Sequence, residues 1–212
     1  MGAVSTYAIL QASPGETEAG RRSRIMRELL EEARADARVV TIDRERFEEE
    51  DELGYVVAVG ETLFMMLLIV DGSRFNGFSV LPIEDVSHIE LPHPHAEFVE
   101  SALRLRGEEV ESAPEIDLSS MASAVRTAGR FAQLVTVHTE ATDQGICQIG
   151  SIRGVDETNV RLITIDPDAD WDDEIATIPL ADVTRLDFGG GYEEALLLVG
   201  GPCPVPLLRS VE

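Results

Sequence analysis

Two stretches of this chain, about 95 residues apart, read alike in residue type, order and punctuation, and self-similarity at a fixed spacing constrains a fold more than any single motif. Pro82-Ile83-Glu84-Asp85-Val86-Ser87-His88-Ile89-Glu90-Leu91 aligns with Pro179-Leu180-Ala181-Asp182-Val183-Thr184-Arg185-Leu186-Asp187-Phe188 in the same apolar-polar phase. Upstream, Val39-Val40-Thr41-Ile42 matches Leu134-Val135-Thr136-Val137, and Leu68-Ile69-Val70-Asp71 matches Ile163-Thr164-Ile165-Asp166. The offset is 95 residues at Asp71 and 97 at Pro82, so the halves differ by two residues in one loop. A difference of that size on the surface costs little.

Each half reads as a helix, five short strands and a closing helix. Ile25, Met26, Leu29, Leu30 and Ala33 recur at helical spacing, with Ser13-Pro14-Gly15-Glu16 as a capping-box start and an end near Ala35. Strands are expected at 38–43, 54–60, 63–70, 77–82 and 87–91, and again near 134–139, 145–155, 160–166, 175–179 and 184–188. The closing helices are expected over 96–105, with Phe98, Ala102 and Leu105 on the apolar face, and over 192–199, with Ala195, Leu196 and Val199. Five narrow strands must curl or pair to hide their edges, which predicts a mainly β fold with flanking α-helices, built as two repeated five-stranded small barrels. The expected division is 1–106 for the first unit, a linker at 107–120 rich in Glu, Ser and Pro, 121–200 for the second unit and a tail at 201–212. Pro202, Pro204 and Pro206 predict an extended tail.

Composition narrows the function. The chain has 40 acids against 17 bases, a net charge of −23, and every base is Arg. Without Lys there is no Schiff-base or Lys-nucleophile chemistry and no P-loop lysine. The acidity argues against a nucleic-acid or anionic-membrane partner, which needs a basic face. It divides evenly, −12 up to Ser112 and −11 after it, so neither half is a basic reader. Cys147 and Cys203 stand far apart in no paired pattern, which predicts neither a disulfide framework nor a Cys-rich zinc site and fits a reducing, cytoplasmic setting. The longest apolar run, Leu63 to Val70, is strand-sized, and no basic residue precedes the short run from Ala3 to Ala12, so neither a membrane span nor a signal peptide is expected.

In the second half, Gly145 opens a long strand that reaches Gly154-Val155-Asp156-Glu157-Thr158-Asn159-Val160-Arg161-Leu162. This segment resembles the first motif of Sm-like domains, in which an Asp and an Asn flank the turn between strands 2 and 3. The resemblance implies Sm-like or SH3-like barrels in tandem, and it marks Asp156 and Asn159 as RNA-binding residues. In the first half Gly60-Glu61-Thr62-Leu63-Phe64 stands in place of that turn, and the basic Gly-containing second motif of the family is missing from both halves. The run from Ile178 to Phe188, followed by Tyr192-Glu193-Glu194-Ala195-Leu196, is similar to the ending of small bacterial proteins, a likeness that implies no chemistry.

Other candidate sites are each set beside a structural role. Asp166, Asp168 and Asp170 begin the spacing of a calcium loop, but Trp171 occupies the sixth position and Thr177 the twelfth, where Gly and a bidentate carboxylate are required. A solvated loop from Asp166 to Glu174, with Trp171 folded onto the barrel, is expected. His88, His93 and His95, with Glu90 and Glu97, would suit Zn²⁺ or Fe²⁺ if they converged. Gly189-Gly190-Gly191 reads as a turn, since Glu194 breaks the dinucleotide-binding spacing. His138 and Cys147 share no nucleophile motif, and Cys147 is expected as a small core residue of a strand. Arg21, Arg22, Arg24 and Arg27 meet Glu28, Glu31 and Glu32 at pairing distance on one helix.

The function expected is a non-enzymatic protein-interaction or assembly module, with a protein partner or self-association and no cofactor. The first alternative is an Sm-like RNA-binding protein using Asp156 and Asn159. The second is a metal-dependent hydrolase using His88, His93 and His95.

Overall fold

The computed structural model describes residues 17–47, 51–70, 73–109, 112–143 and 145–204. The first half runs α1 (Glu18–Asp36), β1 (Val39–Asp43), β2 (Glu52–Val59), β3 (Leu63–Val70), β4 (Arg74–Pro82), a 3₁₀ turn (Ile83–Asp85), β5 (His88–Glu90) and α2 (Ala96–Arg106). The second runs α3 (Met121–Phe131), β6 (Val135–His138), β7 (Cys147–Val155), β8 (Asn159–Ile165), β9 (Trp171–Pro179), a 3₁₀ turn (Leu180–Asp182), β10 (Arg185–Phe188) and α4 (Gly191–Gly200). The capping box expected at Ser13 to Glu16 lies outside the described residues. Within them Thr17 caps α1 by accepting from the Gly20 N–H at 3.1 Å. Ala37, left-handed at φ 48°, ends that helix.

Local details recur between the halves. The Ile83 N–H donates to the Thr62 carbonyl, and the Leu180 N–H to that of Thr158. Ser87 Oγ donates to the Asp43 carbonyl, as Thr184 Oγ1 does to that of His138. Bulges fall between Val56 and Ala58 in β2 and between Ile152 and Gly154 in β7. Gly54 and Gly150 are each pressed onto the neighbouring strand, where a Cβ would lie 2.3 Å from the carbonyl oxygen of Leu67 or Ile163. Only glycine fits such an approach.

The ten strands form one unclosed sheet in the order β5-β1-β2-β3-β4-β10-β6-β7-β8-β9. This differs from two separately closed barrels. A narrow sheet can hide an edge by closing or by pairing, and the first half pairs: β10 bonds to β6 on one side and to β4 on the other, with Leu186 opposite Val80, Asp187 opposite Ser79 and Phe188 opposite Phe78. One apolar cluster spans this junction. It joins Met65, Leu67, Phe78 and Val80 to Val135, Val137, Leu186, Phe188 and the inner face of α3, Ala124, Val125 and Ala128. Phe78 and Phe188 stack at 5.6 Å. Each large apolar side chain buried here stabilises by about 1.5–3 kcal/mol, so this cluster outweighs any exposed ion pair in joining the halves.

A second cluster lies under α1, where Leu30 and Ala33 cover Ile42, Phe64, Met66 and Leu81. All but the last residue of β3 are buried. Its unbroken apolar run therefore reflects cover on both faces rather than a half-solvated strand. The expected linker is also part of the core: Leu118 is buried, and Ala113 and Ile116 pack against the junction cluster.

Two helix faces differ from the sequence expectation. α2 buries Ala96, Val99 and Leu103 and leaves Phe98 and Leu105 exposed, and α4 buries Leu196 but exposes Leu198 and Val199. Both helices are apolar on more than one face, so periodicity alone does not choose between the faces. The acidic loop is also shorter than expected, because Asp172, Asp173 and Glu174 belong to β9.

Candidate functional site

Polar groups gather where the halves meet. Arg44 follows β1 and Glu140 follows β6; their side chains meet at 2.6 Å and 3.3 Å in the interior. Arg44 also donates to the Thr184 carbonyl, and the Glu140 N–H donates to Thr184 Oγ1. Burial pushes the Glu140 carboxyl up, but the bonds from Arg44 and Thr184 outweigh it and hold the group below the usual glutamate value. The faces of Arg44 and Arg46 lie against the Phe47 ring at 5.0 and 4.8 Å.

Beside this pair runs a chain of ionisable groups. Glu52 pairs with Arg185, Arg185 Nε donates to both oxygens of Asp187 at 2.8 Å, and His138 Nε2 lies 3.0 Å from Asp187 Oδ2. Burial raises the Asp187 carboxyl, yet the Arg185 charge and the bond from His138 overcome it, and the group sits far below the ordinary carboxylate range. Across the ladder His138 stands opposite Cys147. Cys147 is exposed rather than a core residue. Desolvation raises its thiol, as do the nearby charges of Asp187 and Glu193. A raised thiol is a poor nucleophile. His138 Nε2 faces Asp187, and this contact ties β6 to β10. Glu193 of α4 accepts from Thr136 Oγ1 at 2.5 Å, and Asn76 Oδ1 accepts from the Gly191 N–H at 3.0 Å. These bonds tie α4 to the sheet of both halves.

The residues singled out in the sequence have local partners. Asp156 Oδ1 accepts the backbone N–H of Thr158 and of Asn159, each at 2.9 Å, and Oδ2 accepts from Arg161 at 2.8 Å. Those backbone bonds hold Asp156 down at about 2. Asn159 donates to Thr158 Oγ1. Asp156 and Asn159 thus close the β7–β8 turn. Asp166 accepts from the backbone N–H groups of Asp168 and Asp170, each at 2.9 Å, and so folds its own loop. Trp171 lies half-buried beside Leu196 and donates to the Gly201 carbonyl.

His88 faces Asp43 across the β1–β5 ladder, whereas His93 Nδ1 lies 2.8 Å from Thr41 Oγ1 and its ring is 5.8 Å from that of His95. Among the described residues no group of three or more His, Cys, Asp or Glu is placed to hold a metal ion. The three histidines and the three aspartates are therefore not brought together as ligand sets. The turn from His93 to Phe98, with Arg38, encloses a shallow hollow of about 350 Å³. A larger cleft of about 450 Å³ lies between the halves, lined by hydroxyls from Ser23, Thr62 and Ser120 above Leu63, Ile83 and Leu180.

The features that sequence reasoning missed are on the outside. Tyr192, Leu198 and Val199 of α4 are exposed, as are Phe98 and Leu105 of α2. Beyond them, β5 and β9 end the sheet with one paired side each. No helix among the described residues is long and apolar enough to cross a membrane. Compared with protein-family models, with curated proteins and with solved structures, the chain matches none of them.

Proposed function

We propose that the chain is a non-enzymatic protein-interaction module made of two equivalent five-stranded units of the small-barrel kind, joined through β4 and β10. The shared neighbour order of the strands and the recurring turn bonds support the equivalence. The interaction reading is carried by α4. That helix buries Leu196 against the sheet while Leu198 and Val199, 86% and 76% exposed, and Tyr192 face outward. Exposed apolar side chains gathered on one short helix support a contact with another protein. The ionisable groups at the junction are engaged with one another, which suits a rigid scaffold.

The test compares the chain with a Leu198→Asp, Val199→Asp double variant by light scattering and by affinity capture. The reading expects the parent to hold a second copy or a protein partner that the variant loses. A parent that remains a 23.1 kDa particle at high concentration and captures the same proteins as the variant overturns it.

A further inference from the structure

The two open edges of the sheet are not equivalent in what they admit. Residues 78–80 of β4 are the ones that pair with β10. Their counterparts in the second half are Ile175, Ala176 and Thr177, since Phe78 stands opposite Leu67 and Ile175 opposite Ile163 in matching ladders. Among the described residues no strand pairs with that same row in β9. We propose that the β9 edge takes up an extended basic segment of a partner protein as an added strand. This deepens the reading of the chain as an interaction module and rests on it.

Three observations select that occupant. First, an unpaired edge strand offers N–H and C=O groups that a partner strand satisfies, and side chains at alternate positions add selectivity. Ile175 and Thr177 are exposed on this edge, and Ile175 offers an apolar contact. Second, Asp172, Asp173 and Glu174 are exposed immediately before it. Thr164 donates to Asp172, and no arginine of the described residues is ion-paired with any of the three. Natural edges are commonly protected by Lys; this one carries three negative charges in a chain with no Lys. An incoming strand with Arg or Lys gains at that point, and an acidic one is repelled.

Third, a second copy of the chain is a poor occupant. In the β4–β10 junction Gly77 lies so close to the other half that a Cβ would stand 2.5 Å from the Phe188 oxygen, the Gly189 carbon and the Gly190 nitrogen. The ladder counterpart of Gly77 is Glu174, whose side chain forbids that approach. Of the two edges a second copy could offer, β9 carries the same exposed Asp172, Asp173 and Glu174 and is repelled, and β5 has three residues, carries Glu90 and is followed by Pro92 and Pro94, which have no N–H to donate.

The experiment titrates the ¹⁵N-labelled full chain with an eight-residue peptide of alternating arginine and valine. The controls are the same arginine-valine sequence with every backbone amide N-methylated, and a peptide of alternating glutamate and valine. The expected result is chemical-shift change centred on residues 172–178 with the arginine-valine peptide. The N-methylated peptide, which has no backbone N–H to donate, binds at least about tenfold more weakly. The Asp172→Asn, Asp173→Asn, Glu174→Gln variant also loses at least about tenfold, and added salt weakens binding to the parent chain.

Equal affinity for the arginine-valine peptide and its N-methylated form overturns the proposal, because the attraction is then charge alone. So does binding mapped to another face, binding of the glutamate peptide, or a dimer that forms through β9. If the peptide fails while partner capture still depends on Leu198 and Val199, the edge is wrong and the interaction module stands.

Discussion

Arg44 of the first half and Glu140 of the second meet at 2.6 Å with their side chains 0% and 6% exposed. Among the ion pairs of the described residues that bridge the halves it is the most deeply buried, and its energetics differ from those of exposed pairs such as Arg24 with Glu28. Burying two charges costs about as much as their attraction returns, but removing one partner leaves the other stranded. Arg44→Ala and Glu140→Ala are each expected to cost about 3–5 kcal/mol, whereas the double variant Arg44→Met, Glu140→Leu recovers most of that loss. Urea denaturation of the full chain measures it. Single variants within about 1 kcal/mol of the parent would mean that water reaches the pair.

The same carboxylate gives the chain a dependence on acid. The Glu140 carboxyl is held below its ordinary 4.5 in the folded chain, so the folded state binds a proton less readily than the unfolded one. Stability from this group is complete above 4.5 and is lost as pH falls through the lower folded value. The urea midpoint of the parent is therefore expected to fall from pH 5 toward pH 3 more steeply than that of Glu140→Gln. Parallel slopes for the two proteins would show that other carboxylates carry the acid response.

Asp43 has the opposite sign. A hydrogen bond shared with Asp51, together with desolvation and the Asp51 charge, pushes its carboxyl up to about 6. A raised folded value means that stability is complete below the ordinary 3.8 and declines as pH rises through about 6. Asp51→Asn should return the Asp43 midpoint toward 3.8 in a carboxyl-detected NMR titration and remove that decline. An unchanged midpoint in the variant would rule out the shared proton.

Much of this fold is legible in the residues, and the limits have physical causes. β3 is read from Leu63 to Val70 without error because eight apolar residues admit one interpretation between the flanking turns. The matching runs 82–91 and 179–188 each fall on a strand end, a 3₁₀ turn and a short strand, from β4 to β5 and from β9 to β10. How the halves join is not legible, because a sheet edge can be hidden by closure or by pairing, and the pattern of apolar residues is the same for both. The Arg44–Glu140 pair is invisible for a similar reason. The two residues are 96 positions apart, each in a loop that reads as polar and solvated. α2 and α4 mislead because they carry apolar residues on two faces, of which only one is buried against the sheet. Asp156 and Asn159 were marked by resemblance, and the geometry at the turn shows the work they do there, which is to close it.

Gly77 is where the union of the halves is most exposed to a single substitution. Its φ is +74°, and a Cβ would sit 2.5 Å from three backbone atoms of Phe188, Gly189 and Gly190. Backbone cannot swing aside as a side chain can, so Gly77→Ala must separate β4 from β10 as well as strain its own left-handed backbone. Gly107 supplies the control. Its φ is +76°, nearly the same, but nothing lies within 4 Å of the position of its Cβ. Gly107→Ala should cost only the conformational term of about 1 kcal/mol. Gly77→Ala should cost at least about 3 kcal/mol, since a close approach is broken as well. The loss should also appear as faster amide exchange at residues 78–80 and 186–188, the rungs between β4 and β10, with the β7–β8 ladder unchanged. Equal costs for the two variants would mean that the junction yields without loss and that the shared apolar cluster alone holds the halves together.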